Sequence, residues 1–413
     1  MTSARRWSPY AWAALAILVV CWRIILFEMT PNHASIGPWS YLQIVKSYNY
    51  TILLSNYFTE GFVRRGVQGS LFYLLRGLRI EWSLILFHLF NALWLFVPLL
   101  ILLRRLAQTP GRGWIWLLLT LGLAPQLLFA WAQDVARGDM LVGGFIAWAV
   151  LACLDRRYIL AAVVIFIASQ SHEIGLVYGG SLCFAIGVLD HRTGKVTLGH
   201  AAAALGVLAG LWALAVLGQH FLGPTPQAVA RDMLANAPNA SVGSYRAVYM
   251  TVGGFRTLTS SACMSFTSPS AYFYIASIYL VLALYGLVLP AFSRLRFQLL
   301  LFVGFLPMTV LTVLAIDYGR WLSFAVLNWW LMNAVLQLRG VDTLKVERWP
   351  PKASMLAGVV VLAMGPGGWL AANFATVKVA ERLWRGGPPA GNRLDLCDPT
   401  WTTVVSPTGK PSS

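Results

Sequence analysis

Long apolar runs, each ended by a short group of charged or polar residues, fill most of this chain. Their length is near twenty residues, which is what an α-helix needs to cross about 30 Å of hydrocarbon. Read in hydropathy windows, they predict eleven spans, near 9–28, 83–103, 113–132, 140–154, 158–171, 174–189, 199–220, 271–292, 297–316, 321–338 and 353–372. The runs at 158–171 and 174–189 are short and suit tilted or broken helices. A transmembrane barrel would instead alternate apolar and polar residues over segments of about ten. Two long outer connections interrupt the series, at 29–82 and 221–270. Within the first, 41–57 (YLQIVKSYNYTILLSNY) and 67–78 (VQGSLFYLLRGL) read as short amphipathic helices lying in the interface. The fold class expected is an all-α polytopic membrane protein of about eleven transmembrane helices. Residues 1–372 form the transmembrane domain and 373–413 a polar, Pro/Gly-rich outer tail. Arg5-Arg6 ahead of an apolar run without a small-residue cleavage site reads as an uncleaved first span.

Composition and charge sharpen this picture. Hydrophobic residues make up 58% of the chain and charged ones 11%, against roughly 25% charged in an ordinary soluble domain. That balance excludes a soluble globular enzyme and a disordered chain. The net charge of +16 would suggest nucleic acid in a soluble protein. Here the excess sorts by side. With the N-terminus cytoplasmic, the cytoplasmic segments hold Arg5, Arg6, Arg104, Arg105, Arg112, Arg156, Arg157, Arg192, Lys195, Arg294, Arg296, Arg339, Lys345, Arg348 and Lys352. The short outer loops 133–139, 170–175 and 317–320 hold only Arg137 and Arg320. This is the positive-inside pattern; the partners expected are membrane lipids and no nucleic acid. Cys263 and Cys397 both fall on the outer side, where they either bridge loop 221–270 to the tail or stay as two thiols.

Charges at membrane depth are costly, so their positions are informative. Glu28 closes the first predicted span, with Arg23 deeper in the same helix. In the first outer loop, Thr59-Glu60-Gly61-Phe62-Val63-Arg64-Arg65-Gly66 sets two guanidinium forks between glycines. Such forks suit a phosphate, with Glu60 as a base or as a partner that orients an arginine; a basic segment resting on anionic headgroups is the alternative. Gln133-Asp134-Val135-Ala136-Arg137-Gly138-Asp139 brings two acids and an arginine into one outer loop. There Asp139 can instead cap the next helix and Asp134 pair with Arg137. Ser169-Gln170-Ser171-His172-Glu173 interrupts an apolar stretch. Left in hydrocarbon it would cost several kcal/mol, so it faces a wet cavity or itself. His172 and Glu173 suit acid–base exchange or metal ligation, though one His and one Glu do not specify a metal. Asp317-Tyr318-Gly319-Arg320-Trp321 adds another acid and arginine at the outer edge. Separate loops thus deliver ionisable groups to one face, as a site built between helices requires. The candidate acids and bases are Glu28, Glu60, Asp134, Asp139, His172, Glu173 and Asp317; the candidate phosphate-binding residues are Arg64, Arg65, Arg137 and Arg320.

On these features the layout resembles the GT-C superfamily of membrane glycosyltransferases. The points of likeness are Glu28 at the end of the first span, the loop 29–82 with Glu60 and Arg64-Arg65, and the outer turns bearing Asp and Arg. They cover residues 9–340 in layout. The paired acidic motif common in that class is absent after the first span, and no large C-terminal soluble domain follows. The resemblance implies a polyprenyl-phosphate-linked sugar as donor and a cell-envelope glycan or lipid as acceptor. It also implies a site facing the periplasm of a bacterial inner membrane. No cofactor is specified, a divalent metal stays open, and no P-loop motif occurs. Two alternatives use the same residues. One is an oligosaccharide polymerase or ligase acting on undecaprenyl-diphosphate-linked chains with His172 or Glu173 as base. The other is a secondary transporter or flippase, for which ionisable groups near mid-bilayer and access from both sides would be expected.

Overall fold

The computed structural model describes residues 50–63, 65–109, 138–237, 242–252, 259–260, 263, 276, 279–280, 282–283, 294–314, 318–341 and 397–398. The predicted spans 9–28, 113–132 and 353–372, and most of 271–292, lie outside them. The described residues are helical, with no strand among them. Three short helices come first: α1 (Thr51–Leu54), α2 (Tyr57–Glu60) and α3 (Gly66–Tyr73). They precede α4 (Ile80–Ala107), α5 (Asp139–Leu154) and α6 (Tyr158–Ser171). A π-helical turn, Gly175–Gly179, then leads into α7 (Gly180–Arg192) and α8 (Leu198–Leu222). The second outer connection carries α9 (Pro226–Asn236) and α10 (Val242–Val252). The last described helices are α11 (Arg294–Leu300), a π-turn at Leu301–Phe305, α12 (Leu306–Leu314) and α13 (Tyr318–Arg339).

Four stretches are long and apolar enough to cross a membrane: Trp82–Ala107, Leu198–Leu222, Arg294–Thr312 and Arg320–Arg339. The shorter apolar helices α5 and α6 pack among them. This is the composition of a membrane protein, and the burial pattern agrees. The central helix is α13, with 94% of its apolar window buried and Trp321, Trp329 and Trp330 fully enclosed. By contrast, none of the α8 window is buried, and Leu205, Leu214, Leu217 and Phe221 are exposed. A contiguous surface of that kind belongs in hydrocarbon.

Apolar contacts drive little association between helices in lipid, so polar side chains join the spans. Asn328 of α13 donates to the backbone oxygens of Tyr178 (2.8 Å) and Val303 (3.0 Å). Both acceptors lie in π-turns, where the wider hydrogen-bond spacing frees carbonyls for other partners. Tyr178 returns a bond from its hydroxyl to the Trp321 oxygen at 2.6 Å.

The polar turns gather at two ends of the bundle. At one, Arg105 at the end of α4 pairs with Asp155 (2.7 Å), and Arg339 at the end of α13 pairs with Asp190 (2.6 Å). The start of α6, at Tyr158, is bonded to the same Asp190. At the other end lie the start of α5, the end of α6, the start of α13 and the short helices α1–α3. The predicted interfacial helix 41–57 is broken where it is described. Asn56 ends α1 and caps α2, accepting from Phe58 N and Thr59 N at 3.0 Å. The second, predicted over 67–78, is helical only to Tyr73. These pieces cross closely: a Cβ on Gly69 would stand 1.7 Å from the Ser55 backbone oxygen.

The two long connections, 29–82 and 221–270, fold together where they are described. Val63 packs with Val229, Ala230, Met233, Val248 and Tyr249, and Cys397 lies against this group. Cys263 and Cys397 form a disulfide, and Tyr249 donates to Asp398 at 2.7 Å beside Ser260. The described end of the tail is therefore tied to loop 221–270.

Candidate functional site

The interruption of the apolar pattern at 169–173 marks a real break in the helix. Helix α6 stops at Ser171, and His172 takes extended backbone (φ −163°, ψ 139°) before the chain enters the π-turn Gly175–Gly179. This break presents its side chains to the first long connection, 29–82, where it is described. Arg65 reaches Glu173 Oε2 with Nη2 at 2.9 Å and Nε at 3.2 Å. His172 Nδ1 stands 3.3 Å from that same oxygen. Gln68 donates to the Ser171 carbonyl at 2.8 Å, and the Tyr57 hydroxyl lies 3.4 Å from Gln170 Oε1. Burial pushes the Tyr57 phenol up to about 12, so it stays protonated and serves as a donor.

From the break the contacts continue to two further loops. The His172 ring meets the Trp321 ring edge-on at 6.4 Å, and the Arg320 guanidinium lies 5.4 Å from the Trp321 ring centroid. Arg320 forms a bidentate pair with Asp139, Nε to Oδ2 at 2.7 Å and Nη2 to Oδ1. Next to Asp139, Gly138 leaves room for the Gln68 amide, which a Cβ there would approach to 2.2 Å. Residues from the first loop, the start of α5, the 171–173 break and the start of α13 therefore close one chain of contacts. Of the candidates, Arg65, Asp139, His172, Glu173 and Arg320 belong to it. Glu28, Arg64, Asp134, Arg137 and Asp317 lie outside the described residues.

Asp139 and Arg320 have side chains only 3% and 5% exposed, and they hold each other. Asp139 does not cap α5; Gly138 takes the N-cap position without a side-chain bond. The pair joins two helices and has no exposed proton acceptor. Arg65 differs: at 13% side-chain exposure it gives two N–H groups to Glu173. A guanidinium carries five, and among the described residues Nη1 has no bonded acceptor.

Glu60 stands slightly apart, on α2, facing Asp232 of α9 rather than Arg65. Its carboxylate oxygens are shielded from solvent, near Ser55 and Asp232. Burial pushes its carboxyl up to about 7, and the charge of Asp232 adds to the rise while Ser55 and the Asn56 backbone temper it. Such a carboxyl is poised to exchange a proton near neutral pH. Among the described residues, no three of His, Cys, Asp and Glu gather as metal ligands.

Next to these groups runs an apolar groove of about 940 Å³. Its walls are the first loop from Tyr57 to Val67, the end of α6 at Phe166, Ile167 and Gln170, and α8 from Leu211 to Leu222. Phe62 packs on Gly218 of α8, where a Cβ would come within 3.0 Å of the ring. Sequence reading missed Tyr57, Gln68 and Asp232. Asp232 sits in an ordinary amphipathic segment, and no local signal marks it; Gln68 was part of the amphipathic run read as an interfacial helix.

No protein-family model, curated protein or solved structure matches this chain.

Proposed function

We propose that this chain is a membrane-embedded glycosyltransferase that moves a sugar from a polyprenyl-phosphate-linked donor to a cell-envelope glycan or lipid. It works on the outer face of a bacterial inner membrane. The observation that carries the reading is the position of the groove. Val63 and Val67 flank Arg65 in sequence and both line it, which supports a reading in which an apolar chain lies there with its phosphate toward the guanidinium. Tyr57 and Gly61 line it too, with Glu60 between them in sequence. Lipid tail, phosphate ligand and buried carboxyl thus occur within one short segment.

The chemistry is a displacement at the anomeric carbon. The acceptor hydroxyl gives its proton to Glu60 as its oxygen bonds to that carbon. The bond from the anomeric carbon to the phosphate oxygen breaks, and the electron pair leaves on the polyprenyl phosphate. Arg65 stabilises the negative charge that grows there. Glu173 and His172 hold Arg65 in place.

The test is reconstitution of the full chain in liposomes with a polyprenyl-phosphate hexose, beside comparison of envelope glycans and lipid-linked sugars with and without the gene. Loss of the gene is expected to make the donor accumulate. Glu60→Gln should lower turnover by about 10²-fold or more, the usual contribution of a general base, and Arg65→Ala should weaken donor use with expression unchanged. Normal glycans and normal donor levels with both variants would remove these residues from the site.

A further inference from the structure

At the opposite end of the same helices lies a second cavity, of about 350 Å³, enclosed by α6, α7 and α8. It falls at the lower edge of the volumes typical of small-molecule pockets, about 300–1,000 Å³. Its walls are apolar along Ala161, Ile165, Phe184 and Leu205, and it opens outward past the exposed side chains of Phe184 and Leu205. These rims lie on the face that belongs in hydrocarbon, so the cavity opens sideways to the bilayer. Cys183 lines it while partly exposed, and Cys153 lines it from full burial.

The polar end of this cavity is rich in basic side chains. His191 and Arg192 line it, and Tyr158 brings it to the turn that holds Arg156 and Arg157. Lys195 follows in the next turn. The acids of these turns are hydrogen-bonded to other groups, Asp155 to Arg105 at 2.7 and 3.2 Å and Asp190 to Arg339 and Tyr158, and the Asp155 charge also reaches Arg157. Arg156, Arg157 and Arg192 are exposed and have no ion pair among the described residues.

We propose that this cavity holds one acyl chain of an anionic phospholipid, with its phosphate on Arg157 and Arg192. An apolar slot lined at its end by Arg192, next to the turn of the exposed Arg157, matches the two parts of such a molecule. A zwitterionic lipid fits the slot but brings its own cation to a site already positive, and a free phosphate ester lacks the chain. The site is independent of the sugar-transfer reading, because no group assigned to that chemistry takes part.

Cys183 provides the readout. The experiment uses the full chain purified in detergent, with Cys21→Ser removing the thiol of the first apolar run, and follows alkylation of Cys183 by N-ethylmaleimide. Phosphatidylglycerol, phosphatidylcholine with the same acyl chains, and glycerol 3-phosphate are compared. Protection follows 1 + [L]/Kd, so phosphatidylglycerol at ten times its Kd should slow the reaction about tenfold. Phosphatidylcholine should protect less and glycerol 3-phosphate not at all. Arg157→Gln with Arg192→Gln, both at exposed positions, should reduce phosphatidylglycerol to the level of phosphatidylcholine. Equal protection by the two lipids, undiminished protection in the double variant, protection by glycerol 3-phosphate, or a Cys183 that does not react in detergent alone would each overturn the proposal.

Discussion

Glu60 ties proton chemistry to stability through one carboxyl. Burial raises its pKa from the ordinary 4.5 to about 7, so between those values the folded chain keeps a proton that the unfolded chain gives up. Folding is therefore favoured on the acid side of that window, and the advantage is lost as pH rises through about 7. Glu60→Gln should raise the melting temperature at pH 8 and change it little near pH 4.5, a difference that thermal unfolding in detergent at the two pH values measures. The same group sets the pH profile of the proposed transfer. As a base it works when ionised, so kcat/KM should climb through pH 7. Asp232→Asn removes a neighbouring negative charge and should move that midpoint to lower pH. A profile that both substitutions leave in place would separate Glu60 from the chemistry.

The Asp139–Arg320 pair shows how elements that are far apart in sequence are locked together. It joins the first residue of α5 to the first turn of α13, with both side chains almost fully enclosed. Removing one partner strands a buried charge, which costs about 3–5 kcal/mol, whereas replacing both with apolar residues of similar size costs far less. Arg320→Met alone should thus sharply lower the midpoint of denaturant unfolding, and Arg320→Met with Asp139→Leu should recover most of it. The pairing was not legible beforehand, because a sequence offers Asp139 a helix cap and Arg320 a nearby Asp317 at lower chain separation. Several apolar helices were legible, whereas α9 and α10, inside the connection 221–270, were not. The apolar run 158–171 forms α6 over the same residues, and 199–220 lies inside α8. Differences arise where polarity and geometry part company. Hydropathy windows stop 83–103 short of Arg104 and Arg105, yet both complete α4, because basic side chains suit the negative C-terminal end of a helix. Periodicity could not foresee that Asn56 would cut 41–57, since capping depends on one side chain and not on an apolar face. Nor could it place the π-turns at Gly175–Gly179 and Leu301–Phe305, which exist where Tyr178 and Val303 offer carbonyls to Asn328. The break at 169–173 was plain, because five polar residues in a row cannot be left in lipid.

Across the whole molecule, polarity is divided lengthwise. Basic turns with committed acids occupy one end, and the Arg65–Glu173–His172 cluster with its groove occupies the other. The second end is braced by the Cys263–Cys397 bond, which closes a separation of 134 residues. Bonds of this kind contribute about 2–4 kcal/mol. Reductant should lower the melting temperature of the native chain and leave that of Cys263→Ser/Cys397→Ser unmoved at the lower value. The bridge also constrains threading. Two sulfurs that share a bond occupy one compartment, so the polypeptide between them must traverse the bilayer an even number of times. Two of the stretches long and apolar enough to cross, Arg294–Thr312 and Arg320–Arg339, lie between them. Cys397 leaves the ribosome long after Cys263, so the staple closes only once both cysteines have reached the same side, and an oxidised chain carries a chemical record of that event.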